Sequence, residues 1–318
     1  MLLNFFNSIE AVVLILMMAL SGFLFGKLGW MKEEHKSFIV KVLLNVGVPS
    51  TCISNLFSRF DRELLMSAGR YVLVPLITIL AMILLSTLLA KAMKIKRERF
   101  GVFVVMCSLS NSIFIGLPMN LILFGDASVQ VVLFYYMANT IVFWTLGNAF
   151  IQHSGNADFK KLTVKDRIKK LLKAPLITLI ISIPLVAAGF KLPSIFTRFF
   201  TYFANIVTPL AMVHVGYLIY ETGLSKIRIE KMHWAVILMR FIVAPAIIFV
   251  IGKLFLLDAL PLKVMTVEAS MPVITQAVIL ASAVNADEKF TASGLSITTI
   301  VSLIAVPLLM LMLSNLQL

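Results

Sequence analysis

Two apolar stretches carry polar side chains and helix breakers in their middle. The first reads SNSIFIGLPMN (Ser110–Asn120) and the second reads VEASMPVITQAV (Val267–Val278). Proline removes a backbone donor and clashes with the preceding turn, so each stretch predicts a broken helix. Backbone N–H groups freed at helix ends attract anions, which makes carboxylate binding the expected chemistry. The residues expected to form this site are Asn111, Ser112, Gly116, Pro118, Pro272, Val273 and Gln276.

The chain that holds these stretches is far more apolar than a soluble domain. Of its 318 residues, 60% are hydrophobic and 14% are charged, and its mean hydropathy is +1.00. Apolar runs of roughly 20 residues recur along the whole length, and a helix of that length crosses a bilayer. We therefore predict an all-α polytopic membrane protein that lies in the lipid bilayer of the cell membrane.

Apolar periodicity and helix breakers predict ten transmembrane helices. Of the 28 Lys and Arg residues, 20 fall in the odd-numbered loops and seven on the opposite side. This bias places the odd-numbered loops in the cytoplasm and both termini outside it. Such loops also account for the net charge of +13, so nucleic acid is not an expected partner. The predicted spans are 5–27, 37–57, 67–90, 100–123, 128–150, 174–190, 199–220, 234–256, 262–284 and 291–315.

The two halves of the chain repeat short words in the same order, at offsets between 159 and 170. Each half has five spans, so the second copy must be inverted relative to the first. We predict a first repeat at 1–150, a cytoplasmic basic linker at 151–173 and a second repeat at 174–318. The matched words are NVGVP and NIVTP from Asn45 and Asn205, RYVLVP and RFIVAP from Arg70 and Arg240, serines 110 and 270, and the Thr-Ile-Val words from Thr140 and Thr299.

The two broken stretches occupy matched positions of these repeats. On a competing interpretation, Pro118 and Pro272 only kink two helices, and Asn111 joins helices by a hydrogen bond. Two such segments in matched positions favour a binding site, because irregular backbone at membrane depth is tolerated where protein or a watery cavity satisfies it.

A few titratable residues fall inside or at the ends of predicted spans. Glu268 is expected to serve as a proton or cation site, or else to lie at the interface with Lys263 as its partner. His214 is expected either to hydrogen-bond a neighbouring helix or to relay a proton. Arg70 and Arg240, at matched ends of spans 3 and 8, are expected to snorkel to the membrane interface.

The fourth span resembles that of the auxin efflux carrier family, which includes bacterial malate permeases and plant PIN auxin carriers. The likeness rests on N-S-x-F-x-G-x-P from Asn111, followed by LFGD at residues 123–126. The ninth span is similar in its proline and in Ala281, with Asn285 and Asp287 after it. The fifth span resembles its counterpart through NTIVFWTL, which begins at Asn139.

This resemblance implies a ten-helix fold related to the bile-acid transporters, with broken helices 4 and 9 crossing near the midplane. Spans 1, 2, 6 and 7 would form a scaffold and the interface of a homodimer, and spans 3–5 and 8–10 would move. Asn111 would bind the substrate carboxylate, Asn139 would line the site and Asn45 would face the substrate from the scaffold. The short linker departs from many plant members, which indicates a prokaryotic-type carrier and argues against auxin as the substrate.

These patterns together predict a secondary transporter of small organic anions, carboxylates such as malate, that works by alternating access. Coupling to H⁺ or to Na⁺ is expected, and two alternatives stay open. One is a sodium-coupled symporter of the bile-acid type, and the other is a membrane sensor that binds a ligand without transporting it. The sequence has no G-x-S-x-G, H-E-x-x-H or Walker A motif, so no enzyme, cofactor or ATP drive is predicted. Its four His and two Cys are too dispersed to predict a metal site.

Overall fold

A computed structural model describes residues 14, 17–60, 62–63, 69–155, 163, 166, 172, 174–222 and 229–315. Most of the predicted basic linker and the first part of span 1 lie outside these residues. The described chain is built from helices, and its one extended pairing is an isolated bridge. In chain order the helices are α1 (Met17–Lys27), α2 (Glu33–Arg59), α3 (Gly69–Ala92), α4 (Arg97–Ser108), α5 (Leu117–Phe124), α6 (Asp126–Gly155), α7 (Ala174–Ala187), α8 (Ser194–Glu221), α9 (Lys231–Leu254), α10 (Ala259–Ala269), α11 (Thr275–Ala283) and α12 (Glu288–Asn315).

Five of these helices, α2, α3, α6, α8 and α9, are long and apolar enough to cross a membrane, and α12 is a sixth if its 47° bend is taken within one span. The surface of α3 shows why lipid surrounds them. Its buried face holds the hydroxyls of Thr78 and Ser86, which donate to backbone carbonyls. Its outer face is an apolar stripe at helical spacing, formed by Leu73, Ile77, Leu80, Leu84 and Leu88. A helix with polar groups inside and apolar groups outside faces lipid, so the chain is an all-helical membrane protein.

Predicted spans 4 and 9 are each divided into two short helices. The first division separates α4 from α5, and the second separates α10 from α11. Both breaks fall in the stretches where the sequence predicts them. Helix α6 continues to Gly155, five residues past the predicted boundary of the first repeat.

Two of the four prolines in the matched words follow a π-helical turn, and a third follows a simple turn. A π-helical turn precedes Pro49 in α2 at Leu43–Gly47, and another precedes Pro245 in α9 at Met239–Val243. In α8 a turn at Ile206 precedes Pro209. Proline has no N–H for the carbonyl one turn back, so the preceding turn rearranges its hydrogen bonds.

The helices pack in two groups. In the first group, α2 packs against α7 and the first part of α8, and α1 crosses α8. A Cβ at Gly22 would overlap the backbone of Val213, and one at Gly216 would overlap the backbone of Ala19. These two helices therefore touch backbone to backbone, a contact typical of membrane helices.

The second group contains α3 to α6 and α9 to α12. Helix α4 packs along the end of α6, α3 packs against α4, α6 and α9, and α9 packs against α10. The closest helix pairs lie within each group, and the two breaks both lie in the second group. The helices of this group thus hold the broken segments, and those of the first group face them.

Candidate functional site

The two breaks pair with each other. Helix α4 ends at Ser108 and α10 ends at Ala269, so the segments that follow them have backbone groups without helical partners. Ser110 and Val273 form an antiparallel bridge, and the N–H of Asn111 donates to the carbonyl oxygen of Pro272 at 2.9 Å. We call this pairing of Ser110–Asn111 with Pro272–Val273 the crossover. It satisfies buried backbone groups that lipid could not satisfy.

The side-chain amide of Asn139 fixes one strand of the crossover. Its Nδ2 donates to the carbonyl oxygen of Ser110 at 2.9 Å, and its Oδ1 accepts from the N–H of the same residue at 3.2 Å. The hydroxyl of Ser110 donates to the phenol oxygen of Tyr135 at 3.0 Å. Asn139 is 1% exposed, so water does not compete for these hydrogen bonds. Its amide satisfies both backbone groups of Ser110, as a neighbouring β-strand would.

Asn111 links the crossover to the start of α11. It is buried, and its Nδ2 donates to Oγ1 of Thr275 at 2.9 Å. On the other strand, the N–H of Val273 donates to Oγ1 of Thr298 on α12 at 3.2 Å. Ser112 is buried at the start of the π-helical turn Ser112–Gly116, where the chain turns into α5.

Arg240 reaches the crossover from the π-helical turn of α9. It is fully buried, and its guanidinium donates to the carbonyl oxygen of Ala269 at 2.8 Å and to that of Met271 at 2.7 and 3.0 Å. Nη1 makes no hydrogen bond within the described residues, and the phenol of Tyr135 lies beside the guanidinium. The snorkelling prediction is therefore wrong for Arg240, because carbonyls freed at the break offer it acceptors inside the protein.

The matched residue Arg70 behaves differently. It is exposed, donates to the carbonyl oxygen of Leu256 at 2.8 Å and pairs with Asp258 at 3.0 Å. The positions match in sequence, but only the second one lies next to the break in its own half.

Glu268 forms a second polar centre beside the crossover. It is fully buried on α10, and its Oε1 accepts from Nδ2 of Asn120 at 2.7 Å. Its Oε2 and Oδ1 of Asn120 have no hydrogen-bond partner among the described residues. Gly116 lies directly against the carboxylate, because a Cβ there would collide with both of its oxygens. The alternative with Lys263 at the interface is therefore wrong, since Glu268 lies in the interior.

A small cavity separates the crossover from the first helix group. Its volume is about 10 Å³, enough for about one water molecule. Gln276 lines it, half-buried, with an Oε1 that has no hydrogen-bond partner among the described residues. The other lining residues come from α2, α8, α6 and the residue that follows the crossover: Val48, Thr51, Cys52, Val207, Tyr136, Thr140, Phe143, Trp144 and Ile274.

The structure brings most of the predicted site residues together and leaves Asn45 and His214 apart from them. Asn111, Ser112, Gly116, Pro272, Val273 and Asn139 all lie in or against the crossover, and Gln276 lies one turn away. Pro118 is the second residue of α5. Asn45 is exposed, and its Nδ2 donates to the carbonyl oxygen of Lys41 in its own helix at 2.8 Å. His214 is buried on α8 without a hydrogen-bond partner among the described residues, and the nearest charged groups include Lys36 and Glu288.

Three partners of the site were not singled out from sequence. Asn120 closes the first broken stretch, and Tyr135 lies one helical turn before Asn139. Thr298 immediately precedes the Thr-Ile-Val word of span 10. For Arg240, the one signal in the sequence was its place in RFIVAP, the word that matches RYVLVP in the first half. Within the described residues, no group of three or more His, Cys, Asp or Glu side chains could hold a metal ion.

Discontinuous helices that pair in the interior of an all-helical membrane protein are typical of membrane transporters. The family described as "Membrane transport protein" matches residues 7–310 of this chain. The chain belongs to this family, which is the auxin efflux carrier family indicated by its fourth span. The sequence-based family prediction is thus confirmed.

Two archaeal proteins are similar to the chain over nearly its whole length. An uncharacterized transporter of Methanocaldococcus jannaschii is 28% identical over 305 residues, which are 94% of this chain and 96% of that protein. An uncharacterized transporter of Methanothermobacter thermautotrophicus is 25% identical over 307 residues, 96% of this chain and 98% of that protein. Family and relatives are transporters, a class whose members are generally not enzymes.

Proposed function

We propose that this protein is a secondary carrier of small organic anions, carboxylates such as malate, in the cell membrane. It binds the anion at the crossover and transports it by alternating access. The observation that carries the proposal is the pairing of two broken helices beside a cavity, in a chain of a membrane transport family. Positive charge from Arg240 and the amides of Asn111 and Gln276 suit a carboxylate better than a cation or a neutral solute.

The full architecture belongs to the same proposal. Ten spans form two inverted five-helix repeats, with the odd-numbered loops in the cytoplasm and both termini outside. Two features support the repeats: the matched breaks, and the interruptions of the helix before the matched prolines Pro49 and Pro209. The first helix group serves as the scaffold, through which a homodimer would form, and the second group moves.

A charged cluster joins the two helix groups at the proposed cytoplasmic end. Nζ of Lys36 on α2 lies 2.8 Å from Oε1 of Glu288, which begins α12, and 2.8 Å from Oε1 of Glu33. Glu221 at the end of α8 lies 3.8 Å from Lys36 and 3.7 Å from Lys289. Because Lys36 is only 7% exposed, water weakens these pairs less than it weakens surface pairs. In the proposed cycle the cluster holds the cytoplasmic side closed.

Lys36→Met should therefore open the cytoplasmic side more often. Cys52 lines the cavity and is one of two cysteines, so it reports this opening in a Cys107→Ala background. We expect a membrane-impermeant thiol reagent to label it about tenfold faster in inside-out vesicles, if the cluster contributes about 1.4 kcal/mol. Lys41→Met is the matched control, because Lys41 lies on the same helix, is exposed and forms no ion pair within the described residues. Equal labelling rates in the two variants would contradict the closing role.

The experiment that tests the proposed function is uptake of radiolabelled malate into proteoliposomes, with a proton gradient, a sodium gradient or neither. Malate accumulation is the expected result. Sodium-dependent accumulation without proton dependence would favour the bile-acid type of symport. Binding of malate without flux would favour the sensor, and neither binding nor flux would contradict the proposal.

Asn111→Ala is expected to abolish malate uptake while the protein still folds. The lost hydrogen bond to Thr275 accounts for only about 1 kcal/mol of stability. Thr275→Val is the matched control, since it removes the same bond and keeps the Asn111 amide. If both variants lost uptake equally, Asn111 would act by holding α11 in place, and its assignment as a carboxylate ligand would be wrong. Uptake and thermal unfolding of the purified variants check this.

A further inference from the structure

Two ionisable side chains are buried beside the crossover without forming an ion pair. Arg240 and Glu268 are both 0% exposed, and each acts on the other electrostatically without any N–O distance within 4 Å. Each keeps one polar atom, Nη1 of Arg240 and Oε2 of Glu268, without a hydrogen-bond partner among the described residues. Burying a charge without a direct ion pair costs free energy, so an ionisable side chain in such a place indicates a functional role.

The surroundings of Glu268 hold few other charges. On the elements packed against α10, the charged or titratable groups that interact with Glu268 are Arg240 on α9 and the phenol of Tyr135 on α6. On the α5 side, the described contacts of Glu268 are with the amide of Asn120 and the backbone at Gly116. The charge state of Glu268 therefore depends mainly on burial and on the field of Arg240.

We propose that Glu268 is the proton site of the carrier and that Arg240 couples its protonation to carboxylate binding. This inference rests on the proposed function. With the site empty, the guanidinium favours the ionised form of Glu268. A carboxylate bound beside Arg240 offsets that positive charge, so Glu268 takes up one proton on a carboxylate oxygen. By reciprocity, a proton on Glu268 leaves Arg240 uncompensated and strengthens carboxylate binding.

The charge balance follows from this coupling. One carboxylate group and one proton cross together, so a monocarboxylate moves without net charge. Doubly ionised malate carries one net negative charge with each proton. The stoichiometry therefore predicts a current for malate and none for a monocarboxylate such as lactate.

The geometry favours a proton over sodium. Carriers of this kind bind Na⁺ through carbonyls of unwound helices. Here the carbonyls of Ala269 and Met271 accept from the Arg240 guanidinium instead. Only two side-chain oxygens near Glu268 are unpartnered within the described residues, its own Oε2 and Oδ1 of Asn120. A metal cation would also be repelled by the adjacent guanidinium, whereas a proton binds covalently to the carboxylate.

The test measures protons and malate together in the full-length protein. Proteoliposomes enclose a pH-sensitive dye, and external malate is added without sodium. The wild type should acidify the lumen with about one proton for each malate, and Glu268→Gln should lower that ratio at least about tenfold. Asp258→Asn is the matched control, because this exposed acid pairs with Arg70 away from the crossover. A Glu268→Gln ratio equal to that of the wild type would overturn the inference.

A second measurement does not depend on how the variant folds. Calorimetric titration of malate into the wild type, in buffers with different ionisation enthalpies, counts the protons taken up on binding. About one proton is expected at a pH where the empty site is ionised, by the same linkage. Malate binding with no proton uptake at any pH would overturn the inference and leave the proposed function intact. Absence of malate binding and flux in the wild type would overturn both, beginning with the proposed function.

Discussion

Arg240→Met is expected to lower malate uptake about a hundredfold, because truncating one member of a buried charge pair typically costs about 2–5 kcal/mol of binding. Two effects act in the same direction. The variant removes the positive charge that attracts the carboxylate, and it removes the nearby charge that favours release of the proton from Glu268. Glu268 would then hold its proton more tightly. The carrier would therefore fail to release a bound carboxylate and a proton together.

The effect of the same substitution on stability should be much smaller. The carbonyls of Ala269 and Met271 lose a charged donor, which costs about 1–3 kcal/mol for each buried group left unpaired. The cost of burying the guanidinium is removed at the same time, and replacing a buried charge by an apolar side chain is often close to neutral. Because these two terms oppose each other, uptake should fall far more than thermal stability.

Arg70→Met is the matched control for this prediction. Arg70 occupies the corresponding position of the first repeat, but it is exposed and paired with Asp258. Water and salt screen an exposed ion pair strongly, so uptake should stay within about twofold of the wild type. Uptake by reconstituted protein, normalised to the folded fraction, is the measurement. Near-normal uptake by Arg240→Met would show that the guanidinium only supports the helix break.

Asn139→Ala is expected to destabilise the whole protein as well as stop transport. Its amide satisfies both backbone groups of Ser110, and alanine leaves an N–H and a carbonyl buried without partners. At about 1–3 kcal/mol for each of the two groups, the free energy of unfolding should fall by about 2–6 kcal/mol. The crossover would then lose the strand that presents Asn111, so uptake should be lost even in the fraction that remains folded.

Asn45→Ala is the control for Asn139→Ala, since the same resemblance predicted a substrate contact for each. The structure places Asn45 on the surface, where its one hydrogen bond to a described residue lies within its own helix. Its substitution should change stability and uptake little, because exposed side-chain bonds within one helix contribute only tenths of a kcal/mol. Thermal unfolding in detergent and malate uptake would be compared. Equal effects of the two variants would contradict the clamp assigned to Asn139.

Features that follow from local chemistry were predictable from the sequence. Apolar runs predict membrane helices, because the bilayer demands a fixed length of apolar chain. Proline within such a run predicts a break, so the divisions near Pro118 and Pro272 fall where the sequence placed them. The repeated words further indicated that the two breaks correspond, and the structure pairs them across the crossover.

Features that depend on which atoms meet in three dimensions could not be predicted. Arg240 and Arg70 occupy matched words, yet one binds carbonyls of the interior and the other an exposed acid. Only the position of the nearby break distinguishes them, and that position depends on packing between α9 and α10. The contact of Asn120 with Glu268 joins residues 148 positions apart, which no local pattern encodes. A motif match likewise carries no information about which way a side chain faces, and the amide of Asn45 donates to its own helix.

The narrowness of the cavity beside Gln276 has a consequence for measured affinity. A space for about one water admits no malate, so a carboxylate can bind the proposed carrier only in a wider form. Apparent affinity is then the intrinsic affinity multiplied by the fraction of molecules in that form, and a fraction near one in a hundred weakens it about a hundredfold. Substitutions far from the crossover that favour the wider form should thus tighten malate binding, although the substituted residues do not contact malate.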